Sequence, residues 1–405
     1  MPPRAAGLHR KTEVRSPPLT HRPQRQPAPR ADKKVGFVGI GVAVIFSIMW
    51  LAMGSMISEH AKERDFLNLY IGAQMAADGH FSKLHDQDLQ LAYEQRLFPQ
   101  TENLWPFVRP HFYAVLLTPL AWLPFQTAFY VWTALQIGLL IGCWAWAARR
   151  FGEEALILGS MYLPTAVGIS NGQDCILLLA CIVVSYSLAE KNHDRAAGAV
   201  AALALAKFHL LLLLPLAMLA AGRRRMLTGY LGMAAALVLV SVVLAGPDGV
   251  SAYLHMLTDS SLAGLNPGPQ KIVSIHSFQW NYLGEMLPPV TLALSLAVAV
   301  MCWVASRNAP LWRWFTAGCL ASILAVPHVY AYDAALLLLG VWLTMAYAQT
   351  KPARILAALL APPLIFYVSF VPSEYAVMVA PAAALTALMA ALVRESRIET
   401  AHSAA

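Results

Sequence analysis

Charged residues are scarce in this chain of 405 residues: they make up 13% of it, whereas hydrophobic residues make up 58%. Soluble proteins contain roughly 25% charged residues, and about half of their residues are apolar. The composition therefore excludes an ordinary soluble enzyme and indicates a protein that lies largely within a membrane.

Cysteines are also few, and none has the CxxC or Cys/His spacing of a zinc site or of a secreted disulfide framework. The sequence shows no P-loop, no GxGxxG, no HExxH, no convincing GxSxG and no set of kinase motifs. Nucleotide-driven chemistry thus has no visible site, and we predict neither a metal nor any other cofactor. The five cysteines lie in or beside apolar runs: Cys143, Cys175, Cys181, Cys302 and Cys319.

The net charge of +7 comes from one end of the chain. Residues 1–34 contain nine lysines and arginines against one glutamate and one aspartate, and the remaining residues are balanced. This segment is rich in proline and arginine and has no apolar face to bury, which predicts a disordered cytoplasmic tail. Because no excess of basic residues is left for a folded surface, we expect no binding of nucleic acid.

The first apolar run, from Val35 to Ile57, has about the 20 residues that a helix needs to cross a bilayer. Since basic segments stay on the cytoplasmic side, the tail places the N-terminus inside. Apolar runs recur to residue 393, and the other basic clusters also face the cytoplasm if residues 110–148 cross the membrane once. The sequence predicts an all-α, polytopic membrane protein with about 12 transmembrane helices and both termini inside.

This topology divides the chain into three parts. We predict a disordered tail at 1–34, a transmembrane domain at 35–393 and a short cytoplasmic tail at 394–405. Two long loops, 58–109 and 246–289, are expected on the outer face.

The first outer loop has the periodicity of amphipathic helices. From Asp65 to Asp78, apolar residues recur at helical spacing, so this helix should lie with one face on the membrane or on the bundle. A second helix is expected to start at Ser82.

Three polar breaks interrupt the apolar runs, and the topology places all of them on the outer face. They are Ser170–Asp174, Lys207–His209 and His328–Asp333. Ionisable side chains at membrane depth are costly and commonly belong to a pathway or a site. We therefore expect the functional site on this face.

Asp65 follows the first span and has two interpretations. It can cap the helix that follows, because a carboxylate there accepts hydrogen bonds from free backbone N–H groups and interacts favourably with the helix dipole. Alternatively, it can take a proton from an acceptor hydroxyl at the membrane surface.

His328 and Asp333 also have alternatives. His328 is either an interfacial residue beside Pro327 or a donor to a phosphate or to a catalytic carboxylate. Asp333 either orients His328 or meets Lys207.

The same choice applies to the basic residues at the membrane boundary. Lys207 either extends to the interface or, with His209, binds an anionic, phosphate-bearing lipid. Arg109 and His111 flank Pro110, where they either anchor the start of a helix or bind phosphate.

Polar residues in two other places suit a sugar. Gln173 and Asp174 can hydrogen-bond sugar hydroxyls, although Asn171 and Gly172 can also form only a turn. His276 begins a polar and aromatic stretch of the second outer loop that is compatible with sugar stacking.

The order of several motifs resembles glycosyltransferase family 87 over residues of about 36 to 393. The family belongs to the polytopic GT-C superfamily and includes polyprenol-phosphate-mannose-dependent α-1,2-mannosyltransferases. In chain order the motifs are Asp65-Phe66-Leu67-Asn68-Leu69-Tyr70, Gly79-His80-Phe81-Ser82-Lys83-Leu84-His85-Asp86, Arg109-Pro110-His111-Phe112-Tyr113, Pro119-Leu120-Ala121-Trp122-Leu123-Pro124, Asn171-Gly172-Gln173, Ala206-Lys207, Pro327-His328 and Tyr332-Asp333.

The resemblance implies an inverting hexosyltransferase that moves a sugar from a polyprenyl phosphate to a hydroxyl of a glycolipid or glycan. Mannose is the sugar that the resemblance favours. Asp65 would be the catalytic base, His328 the second catalytic residue near the donor phosphate, and Lys207 a donor contact. The site would face the outside of a bacterial inner membrane. One departure is Glu63-Arg64, where the family has a glycine; Arg64 would lower the pKa of Asp65.

A transporter or flippase for a lipid-linked or polar substrate is the main alternative, and a membrane scaffold is a third. Transporters commonly have internal repeats and polar residues at the midplane. This sequence shows no convincing repeat, and its polar breaks lie towards one face. The enzyme is therefore the favoured interpretation.

Overall fold

The computed structural model describes residues 36–57, 65–258, 271–368 and 379–404. Helices make up 81% of the structure, and the described residues contain no strand, as the all-α prediction requires. The basic tail at 1–34 and the Glu63-Arg64 pair lie outside the described residues.

The described part contains seventeen α-helices, which are numbered in chain order. Short 3-10 helices at Phe81–Lys83, Ala204–Leu211 and Ala331–Leu337, and a π-helix at Gln279–Leu283, lie between them. The α-helices are α1 (Phe37–Ile57), α2 (Phe66–Ala77), α3 (Gln87–Leu97), α4 (His111–Ala121), α5 (Phe125–Phe151), α6 (Glu153–Met161), α7 (Leu163–Ser170), α8 (Cys175–Glu190), α9 (Asp194–Leu203), α10 (Leu214–Ala220), α11 (Arg224–Thr258), α12 (Pro288–Ser306), α13 (Leu311–Ala325), α14 (Leu338–Tyr347), α15 (Lys351–Leu360), α16 (Leu364–Tyr367) and α17 (Ala380–Ala404).

Three of the described helices, α5, α11 and α12, are long and apolar enough to cross a membrane. A fourth span is formed if the helical segments 194–211 and 214–220, which meet at an angle of 108°, count as one broken crossing. Several other apolar helices are shorter than a bilayer is thick. The chain is thus a helical membrane protein, and the number of about twelve spans stays a prediction.

The loop predicted on the outer face after α1 folds differently from its sequence pattern over its described residues, 65–109. Nine of the twelve residues of α2 are buried, so this helix is enclosed on nearly all sides and does not lie with a single face on the bundle. The ring of Phe66 packs against those of Phe125, Phe129 and Trp132, and Gly72 lies so close to Phe107 that an added Cβ would be 2.3 Å from that ring. Residues distant in sequence thus bury the faces of α2 that the amphipathic pattern predicted to be exposed.

The second helix of this loop also starts later than predicted. Ser82 lies in the 3-10 turn Phe81–Lys83, and α3 begins at Gln87. The Asp86 carboxylate accepts a hydrogen bond from the backbone N–H of Leu89 at 3.1 Å, which is the usual bond of an N-cap.

The predicted second outer loop begins with helix. Helix α11 bends at Gly246, whose φ of 65° suits glycine, and continues past Pro247 to Thr258. Beyond it, the backbone N–H of Val273 bonds the carbonyl of Val329 at 2.9 Å. This bond ties the second outer loop to the segment that carries His328.

The C-terminal segment predicted as a tail, 394–405, belongs to α17 as far as Ala404. Glu395 is fully buried there and accepts hydrogen bonds from the backbone N–H groups of Gln349 and Thr350, at 3.2 and 2.6 Å. The start of this segment is therefore packed against the loop before α15.

Candidate active site

A cluster of buried polar side chains lies where four polar segments of the chain meet. Arg109 precedes α4, Gln173 and Asp174 join α7 to α8, Lys207 lies in the 3-10 segment after α9, and Asp333 lies in the 3-10 helix before α14. Each side chain is less than a tenth exposed. We call these five residues the charge cluster.

Arg109 and Asp174 form one half of the charge cluster. The Nε of Arg109 donates to Oδ2 of Asp174 at 3.0 Å, and a terminal guanidinium nitrogen donates to Oδ1 at 3.3 Å. Two bonds between a planar guanidinium and a carboxylate fix the orientation of both groups. Arg109 thus forms a buried ion pair, in addition to its position at the start of a helix.

Lys207 joins the two halves of the charge cluster. Its Nζ donates to Oε1 of Gln173 at 2.6 Å and to Oδ1 of Asp333 at 2.8 Å, and lies 3.3 Å from Oδ1 of Asp174. The ammonium also lies 5.0 Å from the centre of the Tyr332 ring, within the range of a cation–π contact. Of the two partners considered for Asp333, the structure shows Lys207.

The turn after α7 explains how Gln173 reaches the charge cluster. The N–H of Gly172 bonds the carbonyl of Ile169, and that of Gln173 bonds the carbonyl of Gly168, which together form a Schellman cap. Gly172 has a φ of 70°, and a Cβ there would lie 2.5 Å from Cβ of Phe66. Glycine is required because the turn is left-handed and packs directly on the start of α2.

A break in the helical backbone places Lys207. Its φ of −118° and ψ of 70° are not helical, so the chain changes direction between α9 and α10. Asp333 is placed by a reciprocal cap, since its Oδ2 accepts the backbone N–H of Tyr330 at 3.1 Å while Oδ1 binds Lys207. Both breaks thus aim a charged group at the same point.

Asp65 lies at the edge of the charge cluster. It precedes α2, its side chain is half-buried, and it makes no capping bond. Instead, its carboxyl group lies near the Gln173 side chain, which favours the charged form of the carboxyl. Because Oε1 of Gln173 accepts from Lys207, the amide N–H groups of Gln173 are left to face an acceptor.

Burial raises the pKa of the Asp65 carboxyl above its ordinary value, while the nearby Gln173 amide and the charges of Lys207 and Arg109 act in the opposite direction. Loss of hydration is the largest influence because it penalises the charged form. The carboxylate is therefore a stronger proton acceptor than an exposed aspartate.

The charges nearly balance at this place. Three carboxylates, of Asp65, Asp174 and Asp333, stand against the two cations Arg109 and Lys207. The cations are already paired, so the charge cluster offers no surplus positive charge to a phosphate.

Two histidines border the charge cluster. His328 is exposed, its ring meets that of Tyr330 edge-on at 5.1 Å, and it interacts electrostatically with Asp333 and Lys207. His209 is half-buried and interacts with the same two charges. Both imidazoles can donate a hydrogen bond to an anion.

The other two histidines predicted for the site, His111 and His276, have different contacts. His111 is buried with its ring 4.7 Å from that of His85, which bonds the carbonyl of Arg109 at 3.0 Å. His276 bonds the carbonyl of Ala325 at 3.0 Å and the amide of Gln279 at 3.2 Å. The structure brings His111 near Arg109 but gives His276 partners outside the charge cluster.

Sequence reasoning did not single out His85 or Tyr332. Both lie in motifs that carried the family resemblance, so position within those motifs was the available signal. Their contacts explain the omission, since each acts on a distant residue: His85 on the backbone of Arg109, and Tyr332 on the ammonium of Lys207.

No group of three or more histidine, cysteine, aspartate or glutamate residues in the described segments is arranged to hold a metal ion. The oppositely charged partners of Asp174 and Asp333 are side chains, Arg109 and Lys207. The arrangement can hold a carboxylate in a fixed position beside an open face, as proton transfer requires.

Comparison with known protein families identifies the chain. The model of glycosyltransferase family 87 matches residues 107–327, more than half of the length. The chain belongs to glycosyltransferase family 87. Searches of curated proteins and of solved structures find no match. In this membrane glycosyltransferase, the matched range contains Arg109, Asp174 and Lys207, whereas Asp65 and the segment from His328 to Asp333 lie outside it.

Proposed function

We propose that this member of glycosyltransferase family 87 transfers a sugar, mannose, from a polyprenyl phosphate to a hydroxyl of a glycolipid or glycan. The observation that carries the proposal is Asp65, a carboxyl group of raised pKa that lies beside Gln173 at the edge of a buried charge cluster. In the proposed topology, the site faces the outside of a bacterial inner membrane, and the transmembrane domain spans residues 35–393.

The proposed reaction is a single displacement at the anomeric carbon. The acceptor oxygen attacks that carbon and forms the new glycosidic bond, while its proton passes to an oxygen of Asp65. The bond from the anomeric carbon to the phosphate oxygen breaks, and its electron pair leaves with the polyprenyl phosphate. Attack opposite the leaving group inverts the anomeric configuration.

Asp65 suits the part of the base for two reasons. The Gln173 amide lies beside its carboxyl group, and its raised pKa is closer to the working pH, where a general base works best. Arg109 and Lys207 also stabilise the charged form of Asp65, and this influence is lost if either cation is removed.

The leaving phosphate carries its own negative charge, so it needs hydrogen-bond donors more than a strong acid. We assign this part to His328, with His209 beside it. Lys207, Arg109, Asp174 and Asp333 act as one balanced unit that shapes the site, because each cation is already bound to a carboxylate.

Three further residues are proposed donor contacts on the basis of the family resemblance: Gln173, His111 and His276. Of these, Gln173 belongs to the charge cluster and His111 lies near Arg109, whereas His276 has its partners outside the cluster. The proposed step needs no metal, since Asp65 supplies the proton acceptor and the histidines supply donors to the phosphate.

The test is an assay of the purified protein in liposomes with a polyprenyl-phosphate sugar and glycolipid acceptors. We expect D65N to lose sugar transfer by at least about a hundredfold, the lower end of what a general base contributes. The matched control is D88N, because Asp88 is an exposed carboxylate at the start of α3 in the same outer loop.

Two results would contradict the proposal. If D65N transferred sugar at the rate of the parent protein, Asp65 would not be the base. If the parent protein released no polyprenyl phosphate from any such donor, the donor class would be wrong.

A further inference from the structure

A cleft of about 560 Å³ lies between α12 and α17, and none of its lining residues belongs to the charge cluster. Arg394 and Arg397 form its polar part, and the other residues of its wall are apolar. The lining residues are Met301, Ala390, Val393, Arg394, Arg397 and Ile398. A volume of this size is typical of a site for a small ligand.

The two arginines face the cleft together because they are three residues apart on one helix. Both are exposed, and the side chain of neither forms an ion pair or hydrogen bond with any residue that the structure describes. By contrast, Arg313 of the neighbouring α13 is buried and donates to the carbonyl of Ala305 at 3.0 Å. The cleft arginines therefore keep their donors for another partner.

Glu395 lies between the two arginines in sequence but does not neutralise them. Its carboxylate is buried on another face of α17, where it accepts the backbone N–H groups of Gln349 and Thr350. These bonds fix the rotation of α17 about its axis. As a result, Arg394 and Arg397 are held towards the cleft while the Glu395 carboxylate is turned away.

We propose that this cleft binds an anionic phospholipid of the cytoplasmic leaflet. The phosphate would accept hydrogen bonds from Arg394 and Arg397, whose planar guanidinium groups suit phosphate oxygens. An acyl chain would lie along Met301 and Val393. Basic pockets between membrane helices on the cytoplasmic side are suited to such head groups, and the basic residues at this end of α12 and α17 indicate that side.

This site is independent of the proposed glycosyl transfer, and its test is a binding measurement. The parent protein is titrated in detergent with a phosphatidylglycerol, and bound lipid is counted by native mass spectrometry. We expect one retained lipid per chain and about thirtyfold weaker binding in R394Q/R397Q. The matched control is R224Q/R225Q, which removes two exposed arginines at the start of α11 and should bind as the parent does.

Two further probes identify the ligand. We expect glycerol 3-phosphate, which has the head group without acyl chains, and phosphatidylcholine, which has no net charge, to bind at least tenfold more weakly than phosphatidylglycerol. Equal binding of glycerol 3-phosphate would overturn the lipid assignment in favour of a free phosphate. Equal binding of phosphatidylcholine would show that the arginines do not select the ligand.

Equal loss in both double variants would mean diffuse attraction to basic residues and would also overturn the site. If R394Q/R397Q failed to fold, M301E would replace it, because this change puts a negative charge into the cleft from α12 and leaves α17 intact. Undiminished binding to M301E would overturn the proposal.

Discussion

Replacing Lys207 by methionine tests whether the charge cluster holds the fold together. The change removes an ammonium with three close oxygens, at 2.6, 2.8 and 3.3 Å, and keeps most of the aliphatic chain. Asp333 then loses its only ion-pair partner among the described residues, and Asp174 keeps Arg109 alone there. Breaking a buried pair by removing one partner costs about 3–5 kcal/mol, so we expect a loss of that size in the free energy of unfolding.

The assay is equilibrium unfolding in mixed micelles, followed by tryptophan fluorescence, for K207M, D333N and the double variant. In the double variant the unpaired carboxylate is absent too, so its loss of stability should be smaller than the sum of the single losses. Coupling between residues in contact is typically about 0.5–3 kcal/mol, and we expect the upper half of this range. K191M is the matched control, because Lys191 is exposed at the end of α8.

The reasoning would be refuted if K207M unfolded with the same free energy as the parent. Additive single losses would equally refute it, since they would mean that Lys207 and Asp333 do not stabilise each other. A large loss in K191M would show that the assay reports general effects of lysine removal.

Two other predictions concern the segments that support the site. Burial raises the pKa of Glu94 in α3 from 4.5 to about 7, so its protonation stabilises the fold fully below pH 4.5, and this stability is lost as the pH rises through 7. In thermal unfolding between pH 5 and 8, E94Q should therefore lose less stability than the parent, by at most about 3 kcal/mol. Parallel curves for E94Q and the parent would contradict this. G172A should lower the free energy of unfolding by more than about 1 kcal/mol and should also reduce sugar transfer, because a Cβ at a φ of 70° would be strained and would meet Phe66. The control G138A, at a glycine with open space around it, should be tolerated. Equal effects of the two changes would contradict the role of the turn.

The sequence allowed the helical membrane class and the meeting of the polar breaks to be predicted, because both follow from composition and from the alternation of basic loops. It did not allow the partners within the breaks to be assigned. Lys207 and Asp333 are 126 positions apart, and Arg109 and Asp174 are 65 apart. Such pairs depend on tertiary packing, which local patterns do not contain.

The outer loop shows the same limit at the level of helices. The spacing of apolar residues in α2 predicted one buried face, but the aromatic rings of α5 and the side chain of Phe107 cover the other faces as well. The start of α3 at Gln87 instead of Ser82 depends on the cap formed by Asp86, a signal that was present in the sequence and was not used.

The charge cluster also constrains how the chain is made. Its members emerge from the ribosome one after another, and Lys207 precedes Asp333 by 126 residues. At roughly 5–20 residues per second, this interval lasts on the order of 6–25 s. During it, Lys207 has Asp174 as a carboxylate partner, already shared with Arg109.

A buried lysine without full compensation by carboxylates costs several kcal/mol. We therefore expect that the insertion machinery must hold the middle helices of the growing chain until the segment around Asp333 has been synthesised. Chains that end before this segment should be degraded faster than chains that end just after it.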